Sequence, residues 1–291
     1  MKRQNKAYIL AVLSVLMWAT VASAFKIALK YVNYMQLLLY ASLTATLVTF
    51  VILLLQKKLS LLKSLTFREL RYSVLMGFIN PFLYYMVLFK SYSLLPAQEA
   101  MSLNYSWPVM LVIFSAVFLK QKIDIKKILA ITISFFGVIV IATKGSISSL
   151  HFSNSLGDIL ALSSSLIWAG FWILNLKDKR DETVKLFFSF LSGFVFILIL
   201  NLITKNFVLI SGKALIANIY VGLFEMGVTF VVWLYALKLS ETTAQISNFI
   251  YFTPFLSLFI IALVIKEHIY FSTIVGLSLV IGGIVIQKYW H

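Results

Sequence analysis

The chain has 291 residues, of which 61% are hydrophobic and only 12% charged, and its mean hydropathy is +0.97. Soluble domains carry roughly 25% charged residues, so the composition excludes an ordinary soluble protein, and the lack of any cysteine excludes disulfides, thiolate metal sites and thiol catalysis. The net charge of +15 would suggest nucleic acid in a soluble chain, but here the basic residues fall between apolar runs, where they orient helices, and no nucleic-acid partner is expected.

Apolar runs broken by charge or turn clusters predict ten helices, at about 7–29, 35–56, 70–90, 97–119, 126–143, 156–176, 183–204, 213–237, 243–264 and 270–289. Crossing hydrocarbon takes about 20 helical residues, and in lipid only helices or closed barrels satisfy the backbone. The expected fold class is therefore an all-α integral membrane bundle of ten transmembrane helices. The start needs one check: MKRQNK, an apolar stretch and then Ala22-Ser23-Ala24 have the look of a cleavable signal peptide. Apolar character resumes after Lys26 and the same core recurs internally, so 7–29 is read as a true span. The longest connections, 57–69 and 144–157, cannot hold a soluble domain, so any chemistry lies within the bundle.

The chain repeats itself. Residues 9–19 read ILAVLSVLMWA and 159–169 read ILALSSSLIWA, with seven identities in eleven positions. From about Phe89 onward an offset of 146 pairs Tyr105 with Tyr251, Pro108 with Pro254, Ala116 with Ala262, Lys120 with Lys266, Ile123 with Ile269 and Gly137 with Gly283. The expected organisation is a first five-helix repeat at 1–143, a linker at 144–157 and a second repeat at 158–291. Lys and Arg then set the direction. With the N-terminus inside, 18 fall on the inner side, in the N-terminal segment, the 57–71, 120–127 and 177–185 loops and at Lys238 and Lys288. Only seven fall outside: Lys26, Lys30, Lys90, Lys144, Lys205, Lys213 and Lys266. That bias puts both termini in the cytoplasm and the linker outside. Five helices per half is odd, so the repeats must run oppositely through the bilayer, the inverted-repeat design of many secondary transporters.

Nine of the ten acidic residues lie in loops or near span ends, whereas Glu225 sits at the midpoint of the eighth span. A carboxylate there costs about 2.5–3.5 kcal/mol on insertion scales, so it faces a cavity, a partner or a proton path; the plain alternative is a protonated Glu bonded in helix packing. Aligning Gly77 with Gly222 makes Asn80 its counterpart, and Pro81, which removes a backbone donor, is expected to kink that helix. Trp18 and Trp168 are repeat partners at mid-depth, away from the interfaces where lipid-facing tryptophans concentrate. Tyr84 shares the Asn80 face, and Trp233 and Thr229 share that of Glu225. Rings over a cavity suit aromatic or cationic solutes; ordinary packing is the other use for them. Asn104, Gln245 and Asn248 can hold a solute or bridge helices. Ala130, Ser134 and Gly137, aligned with Gly276, Val280 and Gly283, read as packing faces, and Lys26 and Lys90 are expected to snorkel. The three histidines (His151, His268, His291) are too scattered for a metal cage.

Two five-helix repeats with Trp in the first helix of each resemble the drug/metabolite transporter superfamily, EamA type, over nearly the whole length. TPFLSLFIIALVIKEHIYFSTIVGLSLVIGGIVI (253–286) is similar to the family's closing pattern, carried by Pro254, Glu267, Gly276 and Gly283. LPAQEAMSLNYSWPVMLVIFSAVF (95–118) resembles the branch that includes aromatic amino-acid exporters, closest at Asn104-Tyr105-x-Trp107-Pro108. The chain departs from the family at Gln121, where a Glu is usual. The resemblance implies an inner-membrane carrier exporting small organic solutes by alternating access, its cavity lined by helices 1, 3, 4, 6, 8 and 9. Aromatic amino acids or similar amphipathic metabolites are the implied solutes, and the site residues would be Trp18, Asn80, Tyr84, Asn104, Trp107, Trp168, Glu225, Trp233 and Asn248. No G-x-x-x-x-G-K-[ST] occurs, so coupling is to protons through Glu225 or is absent. Neither cofactor nor metal is expected; the partners are the solute and the bilayer, with the chain a monomer or homodimer. The alternatives are a passive facilitator of other specificity, a membrane enzyme acting on lipid-linked substrates, which would need an acid, base or metal cluster that the sequence lacks, and a non-transporting partner or receptor subunit.

Overall fold

The structure, a computed structural model, describes residues 3–63, 65–119, 125–146, 154–175, 178–241, 246 and 248–289, and every regular element among them is helical. In chain order these are α1 (Arg3–Ala28), α2 (Tyr34–Leu55), α3 (Phe67–Leu94), α4 (Ala97–Asn104), α5 (Trp107–Leu119), α6 (Ile125–Ala142), α7 (Ser155–Asn175), α8 (Glu182–Ile203), α9 (Gly212–Leu239), α10 (Phe249–Ile265) and α11 (Phe271–Tyr289), with a short turn of helix at Leu59–Lys63. Six of them (α1, α2, α3, α7, α8 and α9) are long and apolar enough to cross a membrane, and the others are shorter. Large apolar side chains such as Leu55, Leu209 and Phe271 face outward, three-quarters or more exposed, as hydrocarbon rather than water would require.

Local sequence explains where the helices start. Asn33 and Gln36 form a capping box at the start of α2, as do Thr66 and Glu69 for α3, each satisfying N–H groups that a first helical turn leaves open. Asp181 caps α8 by accepting from the Thr183 and Val184 N–H groups at 3.0 and 3.3 Å.

The ends use lysine where glycine is usual. Lys57, Lys144 and Lys205 follow α2, α6 and α8 in the left-handed conformation, with φ between 51° and 56°. The next residue in each case returns a bond to the preceding turn, Lys58 to Leu53 and Gly145 to Val140 at 3.0 Å and Asn206 to Asn201 at 2.8 Å. This is the Schellman arrangement. The left-handed conformation costs a side-chain-bearing residue roughly 1–2 kcal/mol, partly offset by a cation against the helix C-terminus.

Two helices are interrupted mid-span, α3 by a kink within Phe78–Leu83 and α9 by a single π turn at Gly222–Gly227. In α3 the cause is Pro81, and Asn80 before it is extended (φ −146°, ψ 116°), so the expected kink is present. Helices α4 and α5 are one run broken at 105–106, where Pro108 supplies no N–H to continue it.

Packing between helices is close and antiparallel in two places. Lys58 at the end of α2 meets Asp181 at the start of α8 (2.6 Å), and Asn33 at the start of α2 meets Asn206 past the end of α8 (2.8 Å). Along α6 and α11, Gly137 lies against Gly276 while Ser134 lies against Gly283, so those helices also run oppositely. The small residues are needed there: a Cβ on Gly137 would stand 2.5 Å from the Gly276 carbonyl oxygen. The expectation of packing faces at these positions agrees with this contact.

Candidate functional site

Helices α1, α3, α4, α5, α7, α9 and α10 enclose a cavity of about 310 Å3 with mostly apolar walls. Seven of the nine residues singled out from the sequence line it: Trp18, Tyr84, Asn104, Trp107, Trp168, Glu225 and Trp233. Asn80 does not. It is 1% exposed in the kinked segment that packs on α7 and α8, and its side-chain oxygen has no hydrogen-bond partner. The expectation placed it opposite Glu225 by counting from Gly77 along a regular helix, but α3 is kinked here and Asn80 is extended, which breaks the helical register. Asn248 opens the 3-10 turn Asn248–Phe252 that forms the start of α10. Its side chain lies outside the described residues, as do Gln245 and Gln121.

Glu225 is 9% exposed and is the only acidic residue among the lining residues, which include no lysine, arginine or histidine. Its Oε1 accepts a hydrogen bond from the Tyr85 hydroxyl at 3.0 Å. Tyr85, fully buried in α3, was not singled out from the sequence, because nothing in a single chain reports which ring reaches across from another helix. The π turn explains two further contacts. It throws backbone carbonyls out of step, and these are taken up by side chains: the Trp18 indole donates to the Glu225 carbonyl (3.3 Å) and the buried Thr229 hydroxyl to the Phe224 carbonyl (2.6 Å).

The aromatic residues form one connected wall. Trp18 lies 5.5 Å from Trp233 and 5.7 Å from Phe230, and Trp168 lies 5.8 Å from Phe230 on its other side. Trp168 also stacks on Tyr84 at 4.6 Å with 30° between the rings. Phe230 is thus the link between the two repeated tryptophans. A polar seam starts from Tyr84 in this wall: Tyr84 donates to the Asn104 side-chain oxygen (3.4 Å), and the Asn104 amide donates to Ser164 (2.8 Å).

One end of the cavity is tied shut. Phe25 packs on Phe89 (4.8 Å) and Tyr92 (5.0 Å), and Lys26 donates to the Tyr92 and Leu95 carbonyls, both at 2.9 Å. Lys26 therefore closes the C-terminus of α3 rather than snorkelling, while Lys90 lies over the Tyr34 ring at 4.9 Å. Glu267, the acid picked out by the closing pattern, accepts from the Ala97 and Gln98 N–H groups (2.9 and 3.1 Å) and so caps α4. Buried Gln98 donates to the His268 carbonyl and accepts from Tyr270 N–H and the Thr273 hydroxyl. Glu99, paired with Lys144 at 3.9 Å, lies at the same end. No group of three or more His, Asp or Glu among the described residues could hold a metal.

Comparison with known proteins places this architecture. The model of the EamA-like transporter family matches residues 5–143 and again 155–287, and the chain belongs to that family. It is a multi-pass membrane protein of a transporter family, which points to transport rather than catalysis. An uncharacterized transporter of Archaeoglobus fulgidus is 24% identical over 284 residues, covering 96% of each chain. The uncharacterized transporter YoaV of Bacillus subtilis is 24% identical over 245 residues, covering 82% of each. A solved crystal structure shares the fold with a TM-score of 0.67 at 17% identity, covering 98% of this chain and 97% of that one. None of these relatives points to aromatic amino acids.

Proposed function

We propose that the protein carries small amphipathic organic solutes, aromatic amino acids or chemically similar metabolites, across the inner membrane by alternating access. The observation that carries this reading is the convergence of Trp18, Trp168, Tyr84 and Trp233 with one carboxyl group, Glu225, on a single cavity within the bundle. Flat rings suit an aromatic solute by stacking, and the Glu225–Tyr85 and Asn104–Ser164 pairs offer its polar end exchangeable hydrogen bonds.

In this reading the chain crosses ten times as two inverted repeats, 1–143 and 158–291, with both termini cytoplasmic. The twofold family match and the antiparallel packing of α2 on α8 and of α6 on α11 support it, because these are repeat-related pairs. Alternation is supported by a closure at one end: Phe25 and Lys26 bind α1 to α3, and α1 also packs on α4. The form described is then the one closed at the Lys26 end.

Glu225 couples transport to protons in this mechanism. Its carboxyl group faces no cation in the cavity and is held by a neutral hydroxyl, so exposure to water on opening lets it release a proton that it regains on closing. Flux into liposomes containing only this protein tests the reading. Aromatic amino acids should move faster than through empty liposomes, and faster still with a proton gradient. Glu225→Gln should still bind solute and lose the pH dependence. Aromatic flux equal to that of empty liposomes while another solute class moves would leave a carrier of other specificity. Unchanged pH dependence in Glu225→Gln would make that residue structural.

A further inference from the structure

Helix α1 has a cavity on each side. Val21, Ala22 and Phe25 face the aromatic cavity, while its other face borders a separate groove of about 420 Å3. Ala24 and Ile27 of α1, Ile216 and Ala217 of α9, and Ile260 and Val264 of α10 form the groove's shaft. At its deep end Tyr220 donates to Thr20 (2.7 Å) and Thr20 to the Met17 carbonyl (2.7 Å), while the buried Ser23 hydroxyl, which also lines the groove, has no hydrogen-bond partner. Tyr31 and Lys213 stand at its mouth.

Three features identify what fills it. The groove opens sideways, among side chains facing hydrocarbon: Ile216 is 69% exposed and Val264 54%. Its depth is within one leaflet, since the eight helical steps from Thr20 to Ala28, where α1 ends, rise about 12 Å at 1.5 Å each, against a hydrocarbon core of about 30 Å. The mouth is cationic. Exposed Lys30 precedes Tyr31 and exposed Lys266 follows α10 at the same end, whereas Glu267 is turned to the N–H groups of Ala97 and Gln98.

Among the described residues, the repeat-related place in the other half is covered. Gly170 corresponds to Thr20, and the ring of Phe114, which corresponds to Ile260, covers it, 3.6 Å from where a Cβ would stand. On the Lys213 side small Ala24 and Ala217 line the space instead.

We infer that this groove is a lipid site, holding one acyl chain of an anionic phospholipid from the leaflet on the Lys213 side, with its phosphate at Lys213. The chain fills the apolar shaft, and the charge at the mouth selects the headgroup.

Native mass spectrometry of delipidated protein titrated with phosphatidylglycerol or phosphatidylcholine tests it. Wild type should retain a single phosphatidylglycerol in preference to phosphatidylcholine. Lys213→Gln, an exposed change that leaves the core intact, should weaken phosphatidylglycerol about fivefold, the factor for one lysine near an anionic surface. Ala217→Trp should fill the shaft and abolish the single tight adduct for both lipids. Equal retention of the two lipids by wild type, or phosphatidylglycerol binding unchanged in Lys213→Gln, would overturn the inference. So would an apolar solute displacing the lipid at equal concentration, which would make the groove a solute portal.

Discussion

Glu225 could be picked out from the sequence because a lone carboxyl group in the middle of an apolar span has few uses, and the structure seats it in the cavity wall. Its partner could not be picked out. Tyr85 is one of 14 tyrosines, and only the packing of α3 across from α9 brings its hydroxyl to 3.0 Å from the carboxyl group. Tyr85→Phe keeps the ring and removes the donor. It should lower stability by about 1–3 kcal/mol, the cost of leaving a buried polar partner unsatisfied, and shift the pH profile of flux without abolishing it; an unshifted profile would contradict the contact's role. Trp168→Ala removes the stack on Tyr84 and should reduce aromatic flux about two- to tenfold, since such a contact is worth about 0.5–1.5 kcal/mol. Solute flux normalised to folded protein is the check. The left-handed lysines follow the same logic at helix ends. Lys205→Gly should raise the unfolding free energy by up to about 1 kcal/mol by relieving its φ of 56°, and thermal unfolding in detergent would show a lowered midpoint if the lysine's charge mattered more.

At the scale of elements, the apolar runs located the helices among the described residues to within a few residues, except that 97–119 is broken into α4 and α5. The start of the 243–264 run lies outside the described residues, and the runs did not give interior geometry. Pro81 announced a break in α3, whereas nothing in GLFEMG announces the π turn in α9, which packs against α2 and α1. Asn80 lies off the cavity because counting along an ideal helix fails across the break at Pro81. The small-residue stripes, by contrast, were readable, since close helix approach demands small side chains wherever it occurs. Gly137→Val should drive α6 from α11 and cost about 1–3 kcal/mol as overpacking; an unchanged denaturation midpoint would contradict the contact. The loop between α7 and α8 has its own pH dependence. Burial pulls the Asp181 carboxyl group upward, but the Lys58 hydrogen bond and the Val184 and Thr183 N–H groups outweigh it and hold it below the usual carboxylate range. Its contribution to stability is thus complete above the ordinary carboxylate value and is lost as pH falls through the lowered one. Asp181→Asn should remove that acid-side dependence while keeping the cap.

For the whole molecule, composition alone separated a membrane bundle from a soluble domain, and the repeated ILA…WA core pointed to two related halves. Direction across the membrane rests on charge, and a reporter inserted at Ser149 should appear outside the cell while tags at either terminus stay protected; a tag accessible from outside would reverse the orientation. The central claim is that aromatic solute passes through the cavity bounded by Trp18, Trp168 and Glu225. Because the chain has no cysteine, Leu111→Cys would place a single thiol in the cavity wall. Uptake of labelled tryptophan into liposomes containing this variant should fall to the level of empty liposomes after N-ethylmaleimide, and excess unlabelled tryptophan should slow the thiol reaction. Uptake that continues unchanged once Cys at 111 is fully modified, or that never exceeds empty liposomes before modification, would contradict the account.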